Sequence, residues 1–249
     1  MTTSIPCNLN AGLQKLRGVI ANYKCTRTSA NFVFTKNDQN ALGVVAIAAS
    51  IAGLSGMAVS TAGSAGAEED ADYLEFDLGG KPVKGFVWRS PFREGDAVEV
   101  IAEWHEDRFE LFAMARPQDR IVALYPHCSR GRKSHWKNAF KSWFLGVFAM
   151  LIFISFFMLL GALIIAEPID QILPLFIKVM PLISLVFYSF FFLMTISLAR
   201  KWMSFVRLAE RIFVAFDWKY PSDIDLNERS KVGRTADDPT GYGNFFFRY

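Results

Sequence analysis

Cysteine and histidine are scarce in this chain, which has three residues of each type among 249. The cysteines, Cys7, Cys25 and Cys128, are few and odd in number, which fits a reducing compartment and argues against a disulfide framework. Histidine and cysteine come together only at His127, Cys128 and His135. That group has no close pair at the spacing of a zinc site, and no second cluster completes a tetrahedron. We therefore expect neither a metal nor another cofactor.

Catalytic motifs are also missing from the sequence. It contains no Gly-rich phosphate loop, no nucleophile elbow and no zinc-protease helix motif. The paired acids Glu68 and Glu69, and Asp237 and Asp238, lie in polar stretches, where a solvated role is the simpler interpretation. We therefore expect that the protein is not an enzyme, and a membrane-bound enzyme is the weakest of the alternatives.

Charge is absent from residues 41–67 and 143–166, and residues 172–199 contain only Lys178. A helix of about 18 or more apolar residues is long enough to cross a hydrocarbon core of about 30 Å. Hydrophobic residues make up 52% of the chain, which includes 24 phenylalanines, and this is a membrane-protein composition. Residues 143–166 and 172–199 are predicted to span a membrane. Lys178 is an intramembrane charge, which makes it a functional-site hypothesis, but we expect its side chain to snorkel to the interface.

The two predicted spans form a hairpin within residues 143–199, because only residues 167–171 separate them. Basic residues flank its outer ends and are the candidate membrane-interface residues: Arg130, Arg132, Lys133, Lys137, Lys141, Arg200 and Lys201. Basic flanks stay cytoplasmic, which predicts a multi-pass inner-membrane protein with both termini in the cytoplasm. In the simpler interpretation the basic segment 128–142 only anchors the first span. In the alternative it recognises anionic lipid headgroups, at about 1 kcal/mol for each cation.

Alternating apolar and polar residues between Tyr73 and Tyr125 predict five short β-strands separated by turns. Upstream, residues 16–36 predict two more strands around a turn at residues 27–31. An isolated hairpin is marginal in water, so segments 1–40 and 68–127 are expected to build one domain. The pattern is typical of a small antiparallel barrel of the oligonucleotide-binding type. The five later strands carry Glu75, Asp77, Glu99, Glu103 and Glu110 against few cations, and nucleic acid is therefore not an expected partner.

Residues 41–67 form a Gly/Ala-rich hydrophobic insertion between the two groups of strands. If one barrel contains both groups, they lie on one side of the membrane, and the insertion enters the bilayer without crossing it. Small residues at four-residue spacing are typical of helix association, and the candidates are Ala48, Ala52, Gly53, Gly56 and Ser60. An ordinary third span, a helix packed on the other two and a buried soluble helix are the alternatives.

The end of the chain is expected to be an amphipathic helix followed by a tail. Residues 200–220 have helical periodicity and predict an extension of the second span or a helix in the membrane interface. Residues 221–249 are polar until an aromatic end, and such tails are often flexible unless the aromatic residues dock on the barrel or on another protein. The predicted fold class is thus membrane α+β: a small barrel, a transmembrane helical hairpin and a hydrophobic insertion.

The run from Trp88 to Trp143, followed by two Phe- and Leu-rich spans and the stretch FDWKYPSDIDLNERSK, resembles bacterial membrane proteins described as type VI secretion system effectors. The resemblance covers about residues 85–231 and brings no catalytic motif. It implies a protein delivered into a neighbouring bacterium that perturbs or permeabilises its inner membrane. The implied partners are the lipid bilayer, further copies of the chain, the secretion machinery, a chaperone and an immunity protein. The alternative is a resident inner-membrane protein whose cytoplasmic barrel is an interaction or scaffold domain.

Overall fold

The computed structural model of the chain describes residues 12–30, 69–105, 107–165, 169–232, 234–235, 238 and 241–249. Its strands are β1 (Gln14–Ala30), β2 (Glu69–Leu78), β3 (Lys81–Val87), β4 (Ala97–His105), β5 (Arg108–Arg116), β6 (Ile121–Leu124) and β7 (Phe246–Arg248). Its α-helices are α1 (Arg132–Ile165), α2 (Ile169–Lys201), α3 (Met203–Ala215) and α4 (Leu226–Val232). They fall into a barrel unit, ending at Arg132 and resuming at Ser204, and a helical unit, Lys133–Met203.

Strands β1 to β5 form a closed barrel in the order β1-β2-β3-β5-β4. The neighbours are antiparallel except for β3 and β5, whose parallel pairing completes the ring. β6 extends the sheet from β5, and β7 pairs with β6. The sequence prediction of a small β-barrel is therefore confirmed.

The long first strand, β1, pairs with two neighbouring strands. Its first half pairs with β4 through Gln14–Val19, and its second half pairs with β2. A register shift between Ala21 and Lys24 separates the halves, and a bulge of this kind lets one strand bend around a barrel. The turn predicted at residues 27–31 is wrong where the structure describes it, because residues 27–30 continue β1 and pair with Asp72–Glu69. The second predicted strand, residues 31–36, lies outside the described residues.

Glycine permits the parallel closure of the barrel. Gly85 of β3 pairs with Leu111 of β5. A Cβ atom at Gly85 would lie 2.7 Å from the Leu111 carbonyl oxygen, which is inside van der Waals contact. A side chain at this position would therefore push β3 and β5 apart.

Two apolar clusters fill the barrel unit. One fills the barrel with side chains from all five strands, including Ile20, Leu74, Val83, Val100 and Leu111. The other lies on the outer surface, where Phe86, Ile101, Phe112 and Tyr125 pack with α3 through Phe205, Leu208, Ala209, Ile212 and Phe213. The strands thus have apolar residues on both faces, since α3 covers one side of the barrel.

The segment after the second span differs from its sequence prediction. Of the predicted helix 200–220, residues 200–201 end α2 and Met203–Ala215 form α3, whose apolar face is buried on the barrel. The predicted tail 221–249 contains α4 and β7, with Phe246 and Phe247 buried. Phe247 packs in one cluster with residues of α3, and β7 pairs with β6, so the described end of the chain agrees with the alternative in which the aromatic residues dock on the barrel.

The helical unit consists of the two long apolar helices. α1 begins at Arg132, so most of the basic segment 128–142 is already helical. α2 begins at Ile169, so residues 169–171, which were predicted as part of the connecting turn, are helical as well. Within the described residues, two stretches are long and apolar enough to cross a membrane, Arg132–Gly161 and Ile177–Lys201.

Candidate membrane interface

The helical unit exposes large apolar side chains along its length. On α1, Phe148, Phe153 and Phe156 are each more than half exposed, and on α2 Leu185 and Leu193 are about two-thirds exposed. Contiguous apolar surface of this size is unfavourable in water and typical of contact with a partner or a membrane. Both helices hydrogen-bond their own backbone, as a membrane span requires.

A few specific contacts join the two helices. The Trp143 indole Nε1 donates a hydrogen bond to the Tyr188 carbonyl oxygen at 3.2 Å, and its ring meets that of Phe192 at 5.2 Å. The His135 ring Nε2 lies 3.1 Å from the Ala199 carbonyl oxygen. These contacts fix two antiparallel helices side by side at the end where α1 begins and α2 ends.

Aromatic side chains concentrate at this same end. The Trp136 and Phe140 rings stack at 5.5 Å, and Phe140 stacks on Phe192 at 6.0 Å. Tryptophan and tyrosine are enriched at membrane–water interfaces, where an apolar ring with one polar atom suits the headgroup region. The hairpin therefore has an aromatic girdle at its basic end.

Five of the predicted interface residues lie on the helical unit: Lys133, Lys137, Lys141, Arg200 and Lys201. All five side chains are exposed. The three lysines of α1 are four residues apart and so follow one stripe of the helix. Neither apolar stretch, Arg132–Gly161 or Ile177–Lys201, contains an acidic residue. This end of the hairpin is therefore positively charged.

The other two predicted interface residues belong to the barrel unit. The Arg130 Nε donates to a carboxylate oxygen of the buried Asp225 at 2.9 Å. The Arg132 backbone N–H donates to the Glu210 carboxylate at 2.9 Å, while the guanidinium lies 4.0 Å from it. In the described structure Arg130 and Arg132 thus tie the start of α1 to partners within the barrel unit.

Lys178 is exposed and lies in the half of α2 that is far from the basic cluster. It is the second residue of the apolar stretch Ile177–Lys201. The prediction that its side chain snorkels to a membrane interface stays a prediction. Pro181 removes one backbone donor from the following turn, a change that membrane helices tolerate.

A cleft of about 430 Å³ lies beside the contact between the two helices, within the helical unit. It exists because α1 presents the small residues Ala139, Ser142 and Gly146 on this side. α2 contributes Thr195 and Ala199, and the remaining lining residues are His135, Trp143, Val147, Met150, Phe191, Leu198 and Trp202. Sequence reasoning missed this cleft, although the spacing of small residues on α1 is a signal that could have indicated it.

Two buried acids lie side by side on neighbouring strands of the barrel unit. Glu103 and Glu110 are register partners on β4 and β5, and each is less than a tenth exposed. Burial raises the pKa of Glu110 to about 7 and also raises the pKa of Glu103, and in both cases nearby cations offset part of the effect. In the described residues no group of three histidine, cysteine or acidic side chains is placed to hold a metal.

The helix-association candidates Ala48, Ala52, Gly53, Gly56 and Ser60 lie outside the described residues. The ends of their segment are described, because Ala30 and Glu69 are paired neighbours on β1 and β2. The chain therefore leaves and re-enters the barrel at one place.

Comparisons of the chain with protein-family models, with curated proteins and with solved structures give no match. The class that the fold defines is a closed five-stranded β-barrel joined to two helices long and apolar enough to span a membrane.

Proposed function

We propose that the chain is a multi-pass bacterial inner-membrane protein. In this proposal α1 and α2 cross the bilayer, and the basic ends with their aromatic girdle lie at the cytoplasmic interface. The positive cluster without acids at one end of the hairpin carries the proposal. The barrel unit then lies on the cytoplasmic side of the membrane as well, because the chain connects it to both helices at their basic ends.

The barrel is, in this proposal, of the oligonucleotide-binding type. Its order β1-β2-β3-β5-β4, with a long bent first strand shared by two neighbours, supports that assignment. Its role is to bind protein rather than nucleic acid, since α3 covers part of the surface and two of the exposed strand cations, Arg17 and Arg27, are paired with the acids Glu99 and Asp72. A single-strand groove would need a basic surface with aromatic residues between the cations.

The proposed activity is perturbation of the membrane, as the resemblance to type VI secretion effectors implies. The pairing of Ala30 with Glu69 is the single observation that favours it. Because the connection between Ala30 and Glu69 starts and ends at the barrel, it must return to the side of the membrane on which the barrel lies. The uncharged residues 41–67 within it are then suited to insert from one face, with Gly56 and its small neighbours in helix contacts.

Membrane potential and growth of bacteria that express the chain test this activity. We expect the wild-type chain to depolarise the membrane. Replacing Gly56 with leucine should abolish the effect, because a large side chain blocks close helix approach. The matched control is Met57→Leu, which changes the adjacent residue while keeping its size. Unchanged potential and growth, with the protein present on either side of the membrane, would contradict the proposal.

A resident membrane protein with an interaction domain is the second candidate. The burial of α3, β7 and Phe247 on the barrel favours it, because a well-packed folded unit is what a scaffold needs. This candidate predicts silent insertion with no loss of potential, and the same experiment therefore separates the two.

A further inference from the structure

We propose that the cleft between α1 and α2 binds one anionic phospholipid, with an acyl chain in the cleft and the headgroup at the basic end of the hairpin. This inference rests on the proposed membrane insertion but not on membrane perturbation. It concerns described residues of the helical unit alone.

The walls of the cleft suit an acyl chain. Apart from the ring of His135, the hydroxyls of Ser142 and Thr195 and the indole N–H groups of two tryptophans, the lining side chains are apolar. Its volume of about 430 Å³ lies within the range of roughly 300–1,000 Å³ that small-molecule sites occupy.

The cleft is also open to the surroundings of the hairpin. Ser142 and Gly146 of α1 and Leu198 of α2 are all exposed. A Cβ atom at Gly146 would meet no atom within 4 Å, so this position faces open space. A lipid tail can therefore enter from the side, and a larger residue at Gly146 can take its place without disturbing the helices.

The charge at one end of the cleft selects an anionic headgroup. The contact between His135 and Ala199 marks this end. Lys133 is two residues from His135, and Lys201 is two residues from Ala199, so each lies within about 3 Å of that level along the helix axis, on a face beside the cleft and not in its lining. Cations near the membrane surface contribute about 1 kcal/mol each toward anionic lipid. A lipid whose tail fills the cleft would have its phosphate at this level of the hairpin, where the exposed side chains of Lys133 and Lys201 extend from the flanking helix faces.

Native mass spectrometry of the full chain in detergent tests the proposal, with dioleoyl phosphatidylglycerol and dioleoyl phosphatidylcholine as probes. We expect one phosphatidylglycerol per chain, bound at least five-fold more tightly than phosphatidylcholine. Gly146→Leu should reduce this binding at least ten-fold. The control is Gly161→Leu on the same helix, at a glycine that also faces open space but does not line the cleft. Ala139→Leu is a second variant that fills the cleft if Gly146→Leu does not fold.

A second pair of variants tests the selection by charge. Lys201→Gln should lower the preference for phosphatidylglycerol about five-fold, because it removes one cation at the proposed headgroup. Lys178→Gln, in the opposite half of α2, should leave the preference unchanged. The proposal is overturned if Gly146→Leu binds lipid like wild type, if the two lipids bind equally, or if Gly146→Leu separates a dimer without changing lipid binding. Failure of membrane insertion is distinguishable, because the chain would then appear in the soluble fraction.

Discussion

Ionisation of the single residue Glu110 makes the stability of the barrel depend on pH. Its carboxyl group is buried beside the cation of Arg108, and burial raises its pKa to about 7. Because this folded-state pKa exceeds that of the unfolded chain, the folded state holds the proton more tightly. Protonation of Glu110 therefore contributes to the stability of the folded barrel. This contribution is complete below the pKa of the unfolded chain, near 4.5, and is lost as the pH rises through about 7.

Replacing Glu110 with glutamine should therefore change the pH dependence of stability. At pH 8 we expect the variant to be more stable than wild type by an amount on the order of 3 kcal/mol, since glutamine does not ionise. At pH 4.5 the two proteins should differ little. Denaturant unfolding of the detergent-solubilised protein at both pH values measures this. An equal difference at both values would show that ionisation of Glu110 is not the cause.

Gly85 offers a second test at the scale of one residue. A Cβ atom would collide with the backbone of Leu111 where β3 and β5 close the barrel. We expect Gly85→Ala to lower the free energy of unfolding by about 2 kcal/mol or more, because the strands must separate to admit the methyl group. The control is Gly12→Ala, since Gly12 has nothing within 4 Å of its added Cβ. Equal stability of the two variants would contradict the close pairing of β3 and β5 that completes the barrel.

At the scale of elements, α3 is the instructive case. Its periodicity predicts an amphipathic helix, and the structure contains one. Periodicity does not say whether the apolar face meets lipid or protein, because both environments favour the same side chains. The strands β4 and β5 that cover this face are about a hundred residues away in the sequence. The docking of Phe213 on the barrel therefore could not be predicted from the helix alone.

The same element gives a prediction about packing. Phe213 is fully buried and the adjacent Val214 is 59% exposed. If α3 docks on the barrel, Phe213→Ala should cost about 3–5 kcal/mol of stability, while Val214→Ala should cost less than about 0.5 kcal/mol. Resistance to proteolysis in detergent, where no bilayer supports the helix, distinguishes the two sites. Equal resistance would mean that the apolar face of α3 contacts something other than the barrel.

Other elements could be predicted from local sequence alone. The two long helices follow from runs without charge, and β2 to β6 follow from short alternating stretches between turn residues. The first strand was misjudged because residues 27–30 resemble a turn in composition, yet pairing with β2 keeps them extended. The cleft depends on which faces of α1 and α2 meet, and one helix sequence does not contain that information.

In the whole molecule, the chain joins the barrel unit and the helical unit at the basic end of the hairpin. The proposed membrane function depends on the orientation of that hairpin in the bilayer. This orientation decides on which side of the membrane the barrel and its proposed partners lie, and from which side the connection between Ala30 and Glu69 starts and returns.

Cysteine labelling in spheroplasts tests this orientation most directly. Cys7, Cys25 and Cys128 would first be replaced by serine, and single cysteines introduced as Asp170→Cys at the start of α2 and Lys219→Cys on the barrel unit. With a membrane-impermeant maleimide, we predict that position 170 labels in intact spheroplasts and position 219 labels only after permeabilisation. Labelling of position 219 in intact spheroplasts, or of both positions only after permeabilisation, would contradict a spanning hairpin with its basic ends in the cytoplasm.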